Sequence, residues 1–78
     1  MKLPRDVSAD RLIRVLEHLG CQVLRQKGSH IRLRHNGPPV HLLTVPRHTA
    51  LKTGTLHAIL SEVARMRSIE ISSIAEML

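Results

Sequence analysis

The chain contains no phenylalanine, tyrosine or tryptophan, so its core must be built from leucine, isoleucine, valine, methionine and alanine. Its 78 residues suffice for one domain, because domains cluster at about 100 to 150 residues and a second core would need more chain. Nucleic-acid binding by stacking of bases on aromatic rings is excluded. We therefore expect a single small aliphatic domain over residues 1–78, which a partner could stabilise further.

Positive charge is concentrated in the middle of the chain. The net charge is +6, and no acidic residue occurs between Glu17 and Glu62. All six histidines fall in this acid-free stretch, together with six cationic residues: Arg25, Lys27, Arg32, Arg34, Arg47 and Lys52. One interpretation is a solvated basic face that serves only solubility. The segregation from acids favours a surface for a polyanion, first of all a nucleic acid.

Other features of the composition exclude several classes of protein. A single cysteine, Cys21, can form neither an internal disulfide nor a cysteine-rich zinc site, and we expect it to be a small buried residue. No apolar run exceeds three residues, and the first residues do not resemble a signal peptide. We therefore expect a cytoplasmic protein without a membrane segment.

Hydrophobic spacing predicts a helix at each end of the chain. Ser8 is a good N-cap, and Gly20 is placed to end the first helix. The apolar stripe of this helix is Leu12, Ile13, Leu16 and Leu19. Thr53 or Thr55 is expected to cap the second helix, whose buried positions are Leu56, Ile59, Leu60 and Val63. Ser72 could cap a short last helix with Ile74, Met77 and Leu78 turned inward.

Three strands are predicted between the helices. Residues 21–27 and 30–36 are joined by a tight turn at residues 27–29, and residues 40–45 follow the Asn-Gly-Pro-Pro turn and end at Pro46. In the second strand, Ile31 and Leu33 point to one face, and the other face carries His30, Arg32 and Arg34. The expected fold is α+β, of order αβββα, with the helices on one face of an antiparallel sheet. The other face is left to solvent or to a ligand.

Four segments of this sequence resemble, in order and spacing, the HicA (YcfA-like) toxin family. They are Leu-Gly-Cys-Gln-Val at residues 19–23, Arg-Gln-Lys-Gly-Ser-His at 25–30, Val-Pro-Arg-His at 45–48 and Gly-Thr-Leu-His-Ala-Ile-Leu at 54–60. The resemblance implies a fold like that of double-stranded-RNA-binding domains, mRNA interferase activity, and inhibition by a HicB-like antitoxin. It places the catalytic histidine of the Gly-Ser-His motif at His30. Cys21 replaces a usual aromatic residue, and the glycine expected after the second helix is missing.

The residues around His30 suit RNA cleavage independently of this resemblance. RNA carries its own nucleophile, the 2′-hydroxyl, so cleavage needs a base, cations for the phosphate, and an acid for the leaving oxygen. Histidine is a common general base at neutral pH. Gly28 and Ser29 would permit close backbone approach of a ligand. The expected phosphate-binding side chains are Lys27, Arg32, Arg34 and Arg47.

The remaining histidines suggest other roles. His48 lies in the loop after the third strand and could contact a phosphate or the leaving group. We expect His18 and His57 to be solvated. His35 and His41 flank the Asn-Gly-Pro-Pro turn and could pair across the hairpin, but a metal site would need a third ligand. We expect no metal and no small-molecule cofactor.

Three functions are compatible with the sequence. The first is a metal-independent endoribonuclease acting on mRNA, with His30 as its base. The second is a non-catalytic RNA- or DNA-binding module that uses the same basic face. The third is a structural subunit, which leaves the acid-free stretch unexplained. The Gly-Ser-His resemblance favours the first.

Overall fold

The computed structural model describes residues 2–78. The elements are α1 (Ala9–His18), β1 (Cys21–Lys27), β2 (His30–His35), β3 (His41–Pro46), α2 (Thr53–Arg67) and α3 (Ile71–Ala75). The strands form one antiparallel sheet of order β1-β2-β3. The expected αβββα order with a short additional helix is confirmed. In residues 2–78, no helix has the length and apolar character needed to cross a membrane.

Helix α1 begins and ends as its sequence predicts. The Ser8 hydroxyl accepts a hydrogen bond from the Arg11 backbone N–H at 3.1 Å, which satisfies one of the free donors of the first turn. Gly20 follows the helix with a φ of +101°, and a Cβ there would lie 2.8 Å from Nε2 of His35. Glycine is therefore required at this position both by backbone conformation and by space.

The sheet presents one face to the helices and one to solvent. In β2, Ile31 and Leu33 are buried, and His30, Arg32 and Arg34 are exposed, as the alternation predicts. Three strand boundaries move by one residue: β2 ends at His35, and β3 begins at His41 and includes Pro46 as its last residue. The α+β layering thus leaves the histidine- and arginine-bearing face uncovered.

An aliphatic core joins both long helices to the inner face of the sheet. Its fully buried large side chains include Leu12, Leu16, Leu33, Leu56 and Leu60. Cys21 is buried within the same cluster, as expected for a small apolar residue. Burial of these side chains is the main source of stability in a domain without aromatic residues.

The predicted threonine cap of α2 is wrong. The helix begins at Thr53, with Lys52 at the N-cap and no side-chain hydrogen bond to the first turn. Thr53 and Thr55 therefore lie within the helix. The backbone N–H of the buried Leu51 donates to the Val7 carbonyl at 2.7 Å, and this contact fixes where the chain enters α2.

The details of the C-terminal helix also differ from expectation. Helix α3 begins at Ile71, so Ser72 lies inside it and is not its cap. Ile74 is buried as predicted, and Leu78 packs partly buried against the core. Met77 is 39% exposed because α3 ends at Ala75, before another turn could direct this side chain inward.

Candidate nucleic-acid interface

A β-bulge in β1 determines which side chains reach the open face of the sheet. Val23 pairs with Leu33 and Arg25 pairs with Arg32, so Leu24 is an extra residue without a partner. Strict alternation would place Arg25 and Lys27 on the same face as Cys21. The bulge reverses this and turns both cations to the solvent face.

This bulge was not predicted from the sequence. Its signal is the adjacent apolar pair Val23 and Leu24, which interrupts an alternating strand. As a consequence, Arg25 was absent from the predicted phosphate-binding residues, although it lies on the same face as His30.

Three cross-strand rows make up the open face. The row nearest the β1–β2 turn contains Lys27, His30 and Pro46. The second row contains Arg25, Arg32 and Thr44. The third row contains Gln22, Arg34 and Leu42. Because cross-strand partners share a face, the cations of β1 and β2 lie side by side.

A groove of about 540 Å³ covers the first two rows. It is lined by Arg25, Lys27, Gly28, Ser29, His30, Arg32 and Thr44. The structure therefore brings together five of the predicted site residues: Lys27, Gly28, Ser29, His30 and Arg32. All five are exposed. Gly28 has a φ of +57° in the hairpin turn, and a Cβ there would meet only open space.

Hydrogen bonds orient two arginines on this face. Nη1 of Arg32 donates to the Thr44 hydroxyl at 3.0 Å, across from β2 to β3. Nε of Arg34 donates to Oδ1 of Asn36 at 3.0 Å. Arg34 shares the open face with His30 but lies outside the groove.

Arg47 and His48 lie at the edge of this arrangement. The backbone N–H of Arg47 donates to the Ser29 carbonyl at 2.6 Å, which holds the loop after β3 beside the β1–β2 turn. The backbone carbonyl of His48 accepts from the Ala9 N–H at 2.9 Å. Both residues line a separate cavity of about 270 Å³ near the start of α1. The structure does not bring them into the groove of His30.

The electrostatic environment of the groove is entirely cationic. In residues 2–78 the structure contains one close contact between a basic and an acidic side chain, Nε2 of His41 with Oε1 of Glu62 at 3.1 Å, and it lies outside the groove. No acidic side chain lines the groove. A phosphate bound there would therefore meet positive charge without competition from a carboxylate.

The other histidines occupy distinct environments. His35 and His41 are cross-strand partners, which confirms that they face each other across the hairpin. His18 and His57 are exposed, as expected. Within the described part of the chain, no three His, Cys, Asp or Glu side chains are grouped closely enough to hold a metal ion.

The fold and this face define a class: a small α+β protein with a cationic, histidine-bearing sheet surface. The family model for the HicA toxin of bacterial toxin-antitoxin systems matches residues 9–64, from the start of α1 to the last turns of α2. The chain belongs to the HicA toxin family, as its sequence motifs indicated. Comparisons with curated proteins and with solved structures gave no significant match.

Proposed function

We propose that this HicA-family toxin acts as an mRNA interferase, a metal-independent endoribonuclease with His30 as its general base. The observation that carries the proposal is the position of His30, exposed in an acid-free groove beside Lys27 and Arg32. The family match to a toxin supports an activity harmful to the cell. Degradation of mRNA in the cytoplasm is such an activity.

The chemistry needs few protein groups. His30 removes the proton of a 2′-hydroxyl, whose oxygen attacks the adjacent phosphorus. The bond from phosphorus to the 5′-oxygen breaks, this oxygen takes a proton from solvent water, and the products are a 2′,3′-cyclic phosphate and a 5′-hydroxyl. General base catalysis typically contributes about 10²- to 10⁴-fold to the rate. The cations of the groove stabilise the negative charge that develops on the phosphate.

The proposed RNA-binding residues form two groups by position. Lys27 and Arg32 bind phosphates of the RNA within the groove, with Lys27 the one beside His30, and the backbone of Gly28 and Ser29 permits close approach of the RNA. Outside the groove, Arg34 contacts phosphates further along the strand. Arg47 and His48 contact RNA that passes the β1–β2 turn toward α1.

A HicB-like antitoxin is the proposed protein partner. The family is defined by toxin-antitoxin pairs, so a second protein that controls this one is implied. An acidic surface on the antitoxin would complement the groove and cover His30. Covering the groove would block access of mRNA to the base.

Expression of the wild-type chain and of His30→Ala in the same host tests the activity. Wild-type protein should arrest growth and shorten mRNA, and His30→Ala should do neither. The purified His30→Ala protein should lose cleavage at least about a hundredfold with a change in unfolding free energy below about 1 kcal/mol, because an exposed residue leaves no cavity. His57→Ala is the matched control, an exposed histidine outside the groove, and it should retain activity.

Two results would contradict the proposal. Full cleavage by folded His30→Ala would remove the proposed base. Loss of activity in excess EDTA, restored by zinc or magnesium, would contradict metal independence.

The alternative is a non-catalytic RNA- or DNA-binding module. It is favoured by one observation, that the cations extend beyond the groove to Arg34 in the third row. Under this alternative the wild-type protein binds RNA or DNA tightly and cuts neither. Incubation of purified protein with labelled RNA separates the two functions.

A further inference from the structure

We infer that Arg25 and Arg32 together form a second phosphate subsite, so that the groove binds two successive phosphates of one RNA strand. The inference rests on the proposed function, in which His30 acts at the first phosphate. It assigns Arg25 to RNA binding and gives the groove a defined substrate length.

Two like charges lie directly opposite each other in the second row of the open face. Arg25 and Arg32 are cross-strand partners on the open face. Side chains so placed are close neighbours, and like charges directly opposite each other are unfavourable. No acidic side chain lines the groove to compensate them. A bound anion between the two guanidinium groups would remove this repulsion.

The side chains of Arg25 and Arg32 have donors available to bind a phosphate. Within residues 2–78, the only side-chain hydrogen bond of Arg32 is the one from Nη1 to Thr44, and Arg25 makes none. Each guanidinium has five N–H donors in a planar fork, which matches the oxygens of a phosphate. Thr44 holds one arm of Arg32 and leaves the other donors for a ligand.

The spacing of the two rows along β2 matches the spacing of successive phosphates in a single RNA strand. His30 and Arg32 are two residues apart on β2, which separates their rows by about 6.6 Å along the strand. This is the scale of one nucleotide step in an extended single strand. With the reacting phosphate beside His30 and Lys27, the neighbouring phosphate falls beside Arg25 and Arg32.

The bulge is what creates this subsite. Leu24 takes the position without a partner, so Arg25 faces the same side as Lys27 and Arg32. Bulges frequently redirect a side chain next to a functional site. Arg25 would otherwise point toward the helix side of the sheet.

The test compares two short RNAs that differ by one phosphate. A dinucleoside monophosphate occupies only the first subsite. The same dinucleotide with one added terminal phosphate also reaches the second subsite. The added phosphate is at the 5′ end in one arm of the experiment and at the 3′ end in the other. Affinity is measured by calorimetry on the His30→Ala protein, which binds without cutting. In one of the two arms the added phosphate should raise affinity at least about tenfold, because one charge-assisted hydrogen bond typically contributes that much to binding.

Arg25→Gln should abolish this gain, and Arg25→Lys should restore part of it. Arg14→Gln, an exposed arginine of α1, is the matched control and should keep the full gain. Thermal unfolding verifies that each variant is folded. If the added phosphate raises affinity equally in the His30→Ala protein with and without Arg25→Gln, the subsite is overturned.

Further outcomes separate this inference from the proposed function. If the gain depends on Arg25 but wild-type protein cuts no RNA, the subsite stands and the nuclease proposal fails. If Arg25→Gln weakens binding of a co-expressed antitoxin and leaves the phosphate gain intact, Arg25 serves the protein partner, and the inference is overturned.

Discussion

Nη1 of Arg67 lies 2.9 Å from Nδ1 of His35, which ties the end of α2 to the end of β2. Nη2 of the same arginine donates to the Pro39 carbonyl at 2.7 Å. The His35 ring also accepts from the Gly37 N–H through Nδ1 at 2.9 Å, and its Nε2 lies 3.0 Å from the Leu19 carbonyl. With its hydrogen on Nε2, His35 donates to the Leu19 carbonyl and accepts from Gly37 at Nδ1, while Nη1 of Arg67 packs against the ring, 2.9 Å from Nδ1 and 3.4 Å from Nε2.

Removal of the Arg67 side chain should destabilise the fold. Arg67→Ala would delete the contact with the His35 ring and the hydrogen bond to the Pro39 carbonyl, and lower the free energy of unfolding by about 1 to 3 kcal/mol. Arg65→Ala is the matched control, because Arg65 is an exposed arginine in the same turn of α2 and should change stability by less than about 0.5 kcal/mol. Urea denaturation measures both variants. Equal urea midpoints for Arg67→Ala and Arg65→Ala would show that the contact between α2 and the β2–β3 loop contributes nothing to stability.

The buried thiol of Cys21 should make stability fall at alkaline pH. Burial raises the pKa of the Cys21 thiol, and the nearby positive charge of Arg67 opposes this to a smaller extent. The thiolate is therefore favoured in the unfolded chain. The contribution of the thiol to stability is complete below its pKa in the unfolded chain and is lost as the pH rises through its higher pKa in the folded protein.

Urea midpoints between pH 7 and about pH 9.5 test this expectation. The wild-type midpoint should fall with pH more steeply than that of Cys21→Ala, which has no thiol to titrate. Alkylation by iodoacetamide should also be slower in the folded protein than in urea at equal pH. Parallel pH profiles for the two proteins would contradict the prediction.

The elements were predictable from the sequence because their signals are local. The spacing of Leu12 and Leu16 in α1 and of Leu56 and Leu60 in α2 identifies a buried helix face without reference to any distant residue. The start of α2 was not predictable. Its N-cap, Lys52, makes no side-chain capping hydrogen bond that a sequence pattern would show, and the preceding Leu51 is held by Val7, which is far away in the chain.

The candidate site was predictable in part for the same reason. Strand alternation and a two-residue turn place His30 near Lys27 and Arg32, and these are local features. Arg25 was missed because pattern alone does not show which residue of β1 is the extra one. The separation of His48 from the groove depends on its backbone contact with Ala9, a tertiary interaction.

RNA binding should depend on salt through the basic face. For three to six phosphate contacts, a plot of log affinity against log salt should have a slope of about −2 to −4, at about 0.7 per phosphate of single-stranded RNA. Arg32→Ala and Arg34→Ala should each make the slope shallower by about 0.7. A titration of His30→Ala with labelled RNA at several salt concentrations gives these slopes. A slope near zero would mean that the charge serves only solubility.

The antitoxin should bind over the groove and exclude RNA from it. The face of α2 that carries Leu56 and Leu60 is already buried in the core, so the sheet surface around His30 is the large basic area left for an acidic partner. Binding should raise the melting temperature of the toxin as antitoxin concentration increases. Hydrogen exchange of the complex should show new protection in residues 27–34 and at Arg47.

Charge reversal distinguishes this surface from others. Arg32→Glu should weaken antitoxin binding by at least about tenfold, because it places a carboxylate opposite an acidic partner, and added salt should weaken the wild-type complex in the same direction. Arg14→Glu reverses an exposed charge on α1 and should leave affinity within about threefold of wild type. Titration of antitoxin into His30→Ala protein bound to labelled RNA should release the RNA. Formation of a ternary complex, with protection confined to α2 and the groove still open to RNA, would show that the antitoxin inhibits from another surface.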